Sequence, residues 1–202
     1  MGKSDTTRQY IIEKTAPVFN KHGFDGTTLG LLQEATGLTK GSLYGNFTDK
    51  EAIAKEAFRY SMEKVREFVG GKLHPQRSAK QKLVALLTFY SEYVFNPPIA
   101  GGCPLLNNAV EADDHHTFLR KTVSSEIDKT ISFISSLLED GRKNGEFRKN
   151  IKCFELAVVF FTSIEGAIMV SRVSGSDAAM KTVIRHCKYL LDTISNKWNN
   201  AE

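Results

Sequence analysis

The stretch from Thr27 to Lys50, TTLGLLQEATGLTKGSLYGNFTDK, restricts the possible folds of this chain more than any other part of it. The hydroxyl oxygens of Thr27, Thr28 and Thr39 can accept hydrogen bonds from the free amides at a helix start. Gly37 suits the left-handed backbone that ends a helix. The pattern therefore predicts two short helices joined by a tight turn. This is the arrangement of a helix-turn-helix, in which the second helix enters the major groove of DNA.

The predicted second helix, over residues 40–46, carries polar side chains of modest size together with two glycines. Its N-terminal amides suit a phosphate, and the glycines leave room for close approach to another surface. The residues that would contact phosphates are Thr27, Thr28, Lys40, Tyr44 and Lys50, and those that would face the bases or leave space for them are Gly41, Ser42, Gly45 and Asn46. The alternative is an amphipathic helix pair whose polar face is simply solvated, and spacing alone does not separate the two.

Residues 23–53, GFDGTTLGLLQEATGLTKGSLYGNFTDKEAI, resemble the N-terminal DNA-binding domain of the TetR family of bacterial regulators. The resemblance is carried by Gly23-Phe24, Thr27-Thr28, the run Gly37–Tyr44, and Phe47, Lys50 and Glu51. It implies a three-helix DNA-binding domain followed by a larger helical domain that binds a ligand and forms a dimer. Gln33 departs from the family, which usually has a small residue there. Gly30 is also unusual, because a glycine inside a helix costs up to about 1 kcal/mol relative to alanine.

The composition fits a soluble protein with a substantial core: of 202 residues, 41% are hydrophobic and 25% are charged. We expect no membrane association, because no apolar run approaches the roughly 20 residues of a spanning helix. Residues 1–10 lack an apolar signal core, and the three cysteines are an odd number, so we expect a cytoplasmic protein without a disulfide framework. The net charge of +4 is only mildly basic. The placement of the charges, not their sum, must support DNA binding.

Apolar residues recur at helical spacing along the whole chain, which predicts an all-α fold. Glycines and prolines mark the ends of the periodic segments. Outside the helix-turn-helix, we expect helices over residues 6–22, 50–70, 79–95, 104–111, 116–143, 152–173 and 177–198. Pro17 predicts a bend in the first of them. We divide the chain into a helix-turn-helix DNA-binding domain, residues 1–50, and a ligand-binding and dimerisation domain, residues 51–202.

The helix expected over residues 152–173 is apolar on nearly every side. A helix of that kind must be buried all round, and in a chain of this size we infer that a second copy covers part of it. Together with the last helix it would form a four-helix contact in a homodimer. The alternative is a central core helix within one subunit. The family resemblance favours the dimer.

Residue types that bind metals or act in catalysis are present, but not in the sequence patterns that metal sites and active sites require. Glu111, Asp113, Asp114, His115 and His116 include metal-ligand types, but adjacent histidines point in different directions and acids at a helix start complement its dipole. We therefore expect no metal. No nucleophile elbow or phosphate-binding loop occurs, so we expect neither an enzyme nor a bound cofactor.

Cys103 follows two glycines at a predicted helix start, where a thiolate would be stabilised and accessible. It could sense oxidants or electrophiles, as cysteines do in some members of the family, or it could pack as a small residue beside the cavity. Cys153 and Cys187 lie on the last two predicted helices, and we interpret both as packing residues.

Residues 101–112, GGCPLLNNAVEA, resemble the short helix that borders the ligand cavity in part of the family. We expect a cavity among the middle helices with aromatic walls and few polar groups. Its candidate residues are Phe58, Met62, Phe89, Tyr90, Tyr93, Cys103, Leu106, Asn107, Val110, Phe118, Phe161, Glu165 and Met169.

These features predict a homodimeric regulator, most often a repressor in this family, that binds a near-palindromic double-stranded DNA operator. A small-molecule effector of unknown identity would release it by binding two subunit arrangements with different affinity. The competing classes are a helical interaction module without DNA binding and an α-helical enzyme. A lone Glu165 does not supply the convergent titratable groups that an enzyme needs.

Overall fold

The computed structural model describes residues 3–114 and 116–196, and within these ranges the fold is all-α, as the sequence predicts. The helices are α1 (Lys3–Gly26), α2 (Leu29–Thr36), α3 (Lys40–Asn46), α4 (Lys50–Leu73), α5 (Ala79–Tyr93), α6 (Pro104–Asp114), α7 (Thr117–Lys143), α8 (Cys153–Ser174) and α9 (Ala178–Ile194). No strand occurs in the described ranges. Helix α9 ends earlier than predicted, because Ser195 turns into extended backbone and pairs with Phe147 in an isolated bridge.

The chain forms two compact units. The first unit consists of Met1–Glu67 and Pro97–Glu126, and the second of Phe68–Asn96 and Ile127–Glu202. Helix α6 and the loop before it therefore belong with the N-terminal helices. The functional division that we predict at residue 50 stays a prediction.

An apolar core shared by the N-terminal helices holds the first unit together. Leu32 of α2 and Leu43 of α3 have no exposed surface, so each short helix is fixed by one leucine pointing inward. The buried members of this core are Ile11, Ile12, Ala16, Phe19, Leu32, Leu43, Phe47, Ile53, Ala54 and Ala57.

The turn between α2 and α3 has the capping chemistry that the sequence predicts. The hydroxyl oxygen of Thr28 accepts from the Leu31 amide (3.3 Å), and that of Thr39 accepts from the Ser42 amide (3.2 Å). Gly37 adopts the left-handed conformation, with φ 69°, and ends α2. The helix-turn-helix is therefore confirmed.

Within α1 the non-helical dihedral angles lie at Gly23 (φ 69°, ψ −179°) and not at Pro17, where the sequence predicts a bend. A positive φ costs glycine little, because it has no Cβ. The chain thus changes direction immediately before the segment that leads into α2.

The second unit is built around α5, α8 and α9. The inner face of α9, with Met180, Ile184, Cys187 and Leu191, is buried. Arg172 near the end of α8 donates to the Val94 carbonyl oxygen after α5 (3.0 Å). Helix α9 is therefore amphipathic, with a buried apolar face and with Lys181, Arg185 and Asp192 exposed on the opposite side.

Helix α8 bears on two of the sequence-based expectations, the absence of a membrane-span candidate and the inferred cover by a second copy. Its length and composition are sufficient for a membrane span, contrary to our expectation that no segment qualifies, although core helices of soluble proteins meet the same two criteria. Within one chain it is also not buried on every side. The exposed apolar residues along it are Phe154, Val159, Met169, Val170 and Val173.

Candidate nucleic-acid interface

Helix α3 presents one face to the core and a polar face to solvent. Leu43 anchors it, Lys40, Gly41 and Gly45 are exposed, and the predicted base-facing or phosphate-contacting residues Ser42, Tyr44 and Asn46 are half-buried. The Asn46 amide donates to the Ser42 carbonyl oxygen one turn earlier (2.9 Å). The ring of Tyr44 packs against the apolar core, so its hydroxyl is carried on a fixed support.

The two glycines of α3 have no structural requirement within the chain. Neither has a positive φ. A Cβ at Gly41 would meet only the Thr39 hydroxyl at 4.0 Å, and a Cβ at Gly45 would meet nothing within 4 Å. Two glycines in a seven-residue helix destabilise it by about 1 kcal/mol each relative to alanine. Their presence is explained if another surface approaches this face closely.

Thr27 does not have the phosphate-contacting position that the sequence predicts. Its side chain is fully buried, and its hydroxyl donates to the Gly23 carbonyl oxygen (2.5 Å). The hydroxyl points inward because it provides a hydrogen bond to the Gly23 carbonyl oxygen at the kink in α1. Thr28, the following residue, is exposed at the start of α2.

Lys50, the first residue of α4, holds the segment between α1 and α2. Its ammonium donates to the carbonyl oxygens of Phe24 (2.7 Å) and Thr27 (2.9 Å) and lies 4.1 Å from the centroid of the Phe24 ring. An ammonium has three N–H donors. Two are therefore used internally, and one is left for the phosphate contact that we predict.

Two residues of α1 hydrogen-bond to the ends of α2 and α3, and the sequence analysis did not predict these contacts. Arg8 donates to the Asn46 carbonyl oxygen at the end of α3 (2.8 Å), and its guanidinium lies 4.1 Å from the centroid of the Phe47 ring. The Tyr10 hydroxyl donates to the Thr36 carbonyl oxygen at the end of α2 (3.0 Å). Helix ends leave carbonyls without partners, so polar residues in a preceding helix are the signal that could have indicated these contacts.

The predicted ligand residues are divided between the two units. Phe58, Met62, Cys103, Leu106, Asn107, Val110 and Phe118 belong to the first, and Phe89, Tyr90, Tyr93, Phe161, Glu165 and Met169 to the second. In the second unit Phe89, Tyr90 and Tyr93 form an aromatic cluster with ring centroids 5.1–5.7 Å apart.

Three of these residues are placed differently from a cavity lining. Val110 is 71% exposed and Met169 is 50% exposed, because each lies on the outer side of its helix. The Asn107 amide donates to Asn20 of α1. A separate surface groove of about 470 Å³ between α5 and α9, lined by Ser91, Lys181, Ile184, Arg185, Lys188, Tyr189 and Asp192, contains none of the predicted ligand residues.

The cysteines and acidic residues form neither disulfides nor a metal centre in the described ranges. Cys103, Cys153 and Cys187 are free and buried. Burial raises the pKa of the Cys187 thiol to about 11, and burial together with the neighbouring Glu139 carboxylate raises the pKa of Cys153 to about 11. Within residues 3–114 and 116–196 no three histidine, cysteine or acidic side chains converge as metal ligands. His115 lies outside the described residues.

An exposed, glycine-containing second helix in a helix-turn-helix that α1 supports defines the class of helical DNA-binding proteins. Residues 11–57 match the family described as bacterial regulatory proteins, tetR family, and residues 79–187 match the tetracyclin repressor-like C-terminal domain. The chain belongs to the TetR family and is a DNA-binding transcriptional regulator, not an enzyme.

Solved and curated relatives agree with this assignment. A TetR family transcriptional regulator from Cytophaga hutchinsonii is 38% identical, has a TM-score of 0.91, and is matched over 98% of each chain. The HTH-type transcriptional repressor DhaR of Mycobacterium sp. (strain GP1) is 22% identical over 166 residues, 82% of each chain. The TetR family regulator CifR, with cysteines replaced and complexed with a 26-base-pair operator DNA, shares the fold at 19% identity with a TM-score of 0.79, over 92% of this chain and 95% of that one.

Proposed function

We propose that this protein is a cytoplasmic repressor that binds a near-palindromic operator as a homodimer and leaves it when a small molecule binds. The observation that carries the DNA-reading part is the open face of α3, where two glycines without a structural requirement flank the Ser42–Tyr44 segment. The relatives named as repressors, and the operator complex of CifR, support the same function. Bacterial operators lie in the cytoplasm, which supports that location.

In this proposal the exposed Lys40 and Thr28, the Tyr44 hydroxyl and the remaining donor of Lys50 contact phosphates. Gly41, Ser42, Gly45 and Asn46 face the base edges. Phosphate contacts fix the position of the helix, and base contacts carry sequence information. Because Thr27 is buried, we exclude it from the phosphate set.

Tyr44→Phe tests this assignment. It keeps the ring that packs against the core and removes only the hydroxyl, whereas Tyr44→Ala would also remove apolar packing. We expect operator affinity, measured by fluorescence anisotropy, to fall about 10- to 150-fold, since a hydrogen bond to a charged group contributes about 1.5–3 kcal/mol. Circular dichroism serves as the folding control. Unchanged affinity in a folded variant would remove Tyr44 from the interface.

We infer that the homodimer forms through α8 and α9. Phe154, Val159, Met169, Val170 and Val173 expose apolar surface along α8, and Tyr189 does so on α9. Gly166 on α8 has open space at its Cβ position, which permits close helix packing. Exposed apolar patches mark interaction sites in soluble proteins. Two-fold symmetry in the protein then matches two half-sites in the operator.

The effector-binding part of the proposal is supported by aromatic side chains that lie buried in the second unit. The rings of Phe89, Tyr90 and Tyr93 form a buried cluster of flat apolar surfaces. Such surfaces suit an apolar or aromatic small molecule. Release requires only that this molecule bind the two subunit arrangements with different affinity.

A cysteine-based response through Cys103 is the second candidate, favoured by the place of this residue directly before the first turn of α6. Cys153 and Cys187 stay protonated near neutral pH because their pKa values are about 11. Cys103 lies directly before α6, and its carbonyl oxygen accepts from the Asn107 backbone amide (3.0 Å). If N-ethylmaleimide lowers operator affinity of the wild type and of Cys103→Ser alike, Cys103 is not the sensor.

A further inference from the structure

Two residues of α6 bond to the end of α1. The side-chain amide of Asn107 donates to the Asn20 carbonyl oxygen (2.8 Å). One turn further along α6, both carboxylate oxygens of Glu111 accept from the Phe24 backbone amide, at 2.9 and 2.7 Å. We call these two contacts the α6 tie. In the opposite direction, the side-chain amide of Asn20 donates to the carbonyl oxygens of Ala100 and Gly102 in the loop before α6 (3.0 Å each).

Glu111 satisfies an amide at the point where α1 departs from helical geometry. Phe24 follows Gly23, the residue with non-helical dihedral angles, and a buried donor without an acceptor is costly. A hydrogen bond to a carboxylate is also stronger than one to a neutral carbonyl. The tie therefore stabilises the kinked backbone in one particular geometry.

Glycines at both ends of the tie have a steric requirement, unlike those in α3. A Cβ at Gly23 would collide with Glu111 Oε1 and lie 2.8 Å from Glu111 Cδ. A Cβ at Gly101 would lie 2.7 Å from the Asn20 carbonyl carbon and oxygen, which are backbone atoms and cannot rotate away. The close approach of α6 and its loop to α1 is therefore built into the sequence at two positions.

The segment held in this way, residues 23–28, is the joint between α1 and the helix-turn-helix. Lys50 donates to two of its carbonyls, and the rings of His116 and Phe118 lie 4.6 and 4.8 Å from the Phe24 ring. Thr28 at its end caps α2. A change in the backbone conformation of this joint would therefore displace the first residue of α2, against which α3 is packed.

We propose that the α6 tie positions α2 and α3, which we call the reading head, so that Glu111 and Asn107, which lie outside both helices, set the operator affinity. This inference rests on the proposed DNA-binding function. Without the tie the joint samples other conformations. The operator affinity then falls in proportion to the fraction of molecules in which the reading head is correctly placed. Glu111 and Asn107 are positioning residues and make no phosphate contact.

The first test uses the free full-length protein. We expect Glu111→Ala to increase hydrogen exchange of the Phe24 amide about tenfold or more by NMR, the factor corresponding to a lost bond to a carboxylate. Glu111→Gln keeps an acceptor oxygen and should restore most of the protection. Asp113→Ala is the matched control, because Asp113 is exposed and only pairs with exposed Arg120 at 3.5 Å. Unchanged exchange at Phe24 in Glu111→Ala overturns the proposal.

The second test measures operator affinity against salt concentration. We expect Glu111→Ala to bind about tenfold more weakly, Glu111→Gln to recover most of the loss, and Asp113→Ala to match the wild type. The slope of log Kd against log salt should stay at the wild-type value, because no phosphate contact is removed. Wild-type affinity in Glu111→Ala, or a reduced slope, contradicts a positioning role.

A second pair of variants decides the matter if Glu111→Ala does not fold. Asn107→Ala removes the bond to α1, whereas Asn108→Ala removes only a bond within α6, from Asn108 to the Pro104 carbonyl oxygen (2.9 Å). Asn107→Ala should weaken operator binding and Asn108→Ala should not; equal effects overturn the proposal. Failure of the wild type to bind any duplex would refute the proposed function instead, while the exchange measurement would still report on the tie.

Discussion

Replacing Gly45 with alanine should have opposite effects on folding and on DNA binding. In the free protein the new methyl group meets nothing within 4 Å, and the backbone of Gly45 is helical. Alanine is therefore expected to stabilise α3 by about 1 kcal/mol, which corresponds to a rise in Tm of about 2–4 °C in a chain of this size. On the proposed base-facing surface the same methyl group is expected to cost about 1–3 kcal/mol through overpacking, or about 5- to 150-fold in Kd.

Gly70→Ala is the matched control for this experiment. Gly70 lies within α4 and outside the helix-turn-helix, and a methyl group added there would also meet nothing within 4 Å. The substitution should raise the Tm by a similar amount and leave the operator Kd unchanged. Differential scanning fluorimetry gives the Tm, and anisotropy with a labelled operator gives the Kd. A Gly45→Ala protein that binds as tightly as the wild type would refute the explanation offered here for the glycines of α3.

Three further predictions concern other parts of the chain. Gly23→Ala should lower both the Tm and the operator affinity, because alanine is strained at φ 69° and its Cβ would meet Glu111; a Tm equal to that of wild type would contradict this. Val173→Glu, on the exposed face of α8, should shift the protein to monomers in analytical ultracentrifugation while its helix content is kept; persistence of dimers would place the contact elsewhere. Cys153 and Cys187 should resist iodoacetamide in the native protein at pH 7.5 and gain reactivity only as the pH approaches 11, since the thiolate reacts and burial favours the thiol; rapid labelling of both at pH 7.5, read by mass spectrometry, would count against their raised pKa values.

The helix-turn-helix was predictable because its determinants are local. Hydroxyl caps at Thr28 and Thr39 and the left-handed Gly37 act within one or two turns of their own position. Helix type and approximate ends follow from periodicity in the same way. The family resemblance then indicated the function that the exposed face of α3 supports.

What sequence reasoning missed depends on contacts between residues far apart in the chain. Thr27 is a residue type that caps helices, yet its side chain is buried, and its hydroxyl donates to the Gly23 carbonyl oxygen at the kink in α1. The sequence analysis interprets Glu111 as one of several acids that complement a helix dipole, yet its partner is an amide 87 positions away. Local rules do not report such partners, since each arises only after the helices pack.

Binding of the wild-type protein to DNA fragments selected from its source genome tests the central claim most directly. Titrated by anisotropy, with protomers per duplex counted by native mass spectrometry, a reading head held in a dimer should place two protomers on one near-palindromic site. That site should bind about a thousandfold or more tighter than a scrambled duplex, and binding should weaken as salt rises. Equal affinity for selected and scrambled duplexes, or a single protomer on the site, would contradict the account.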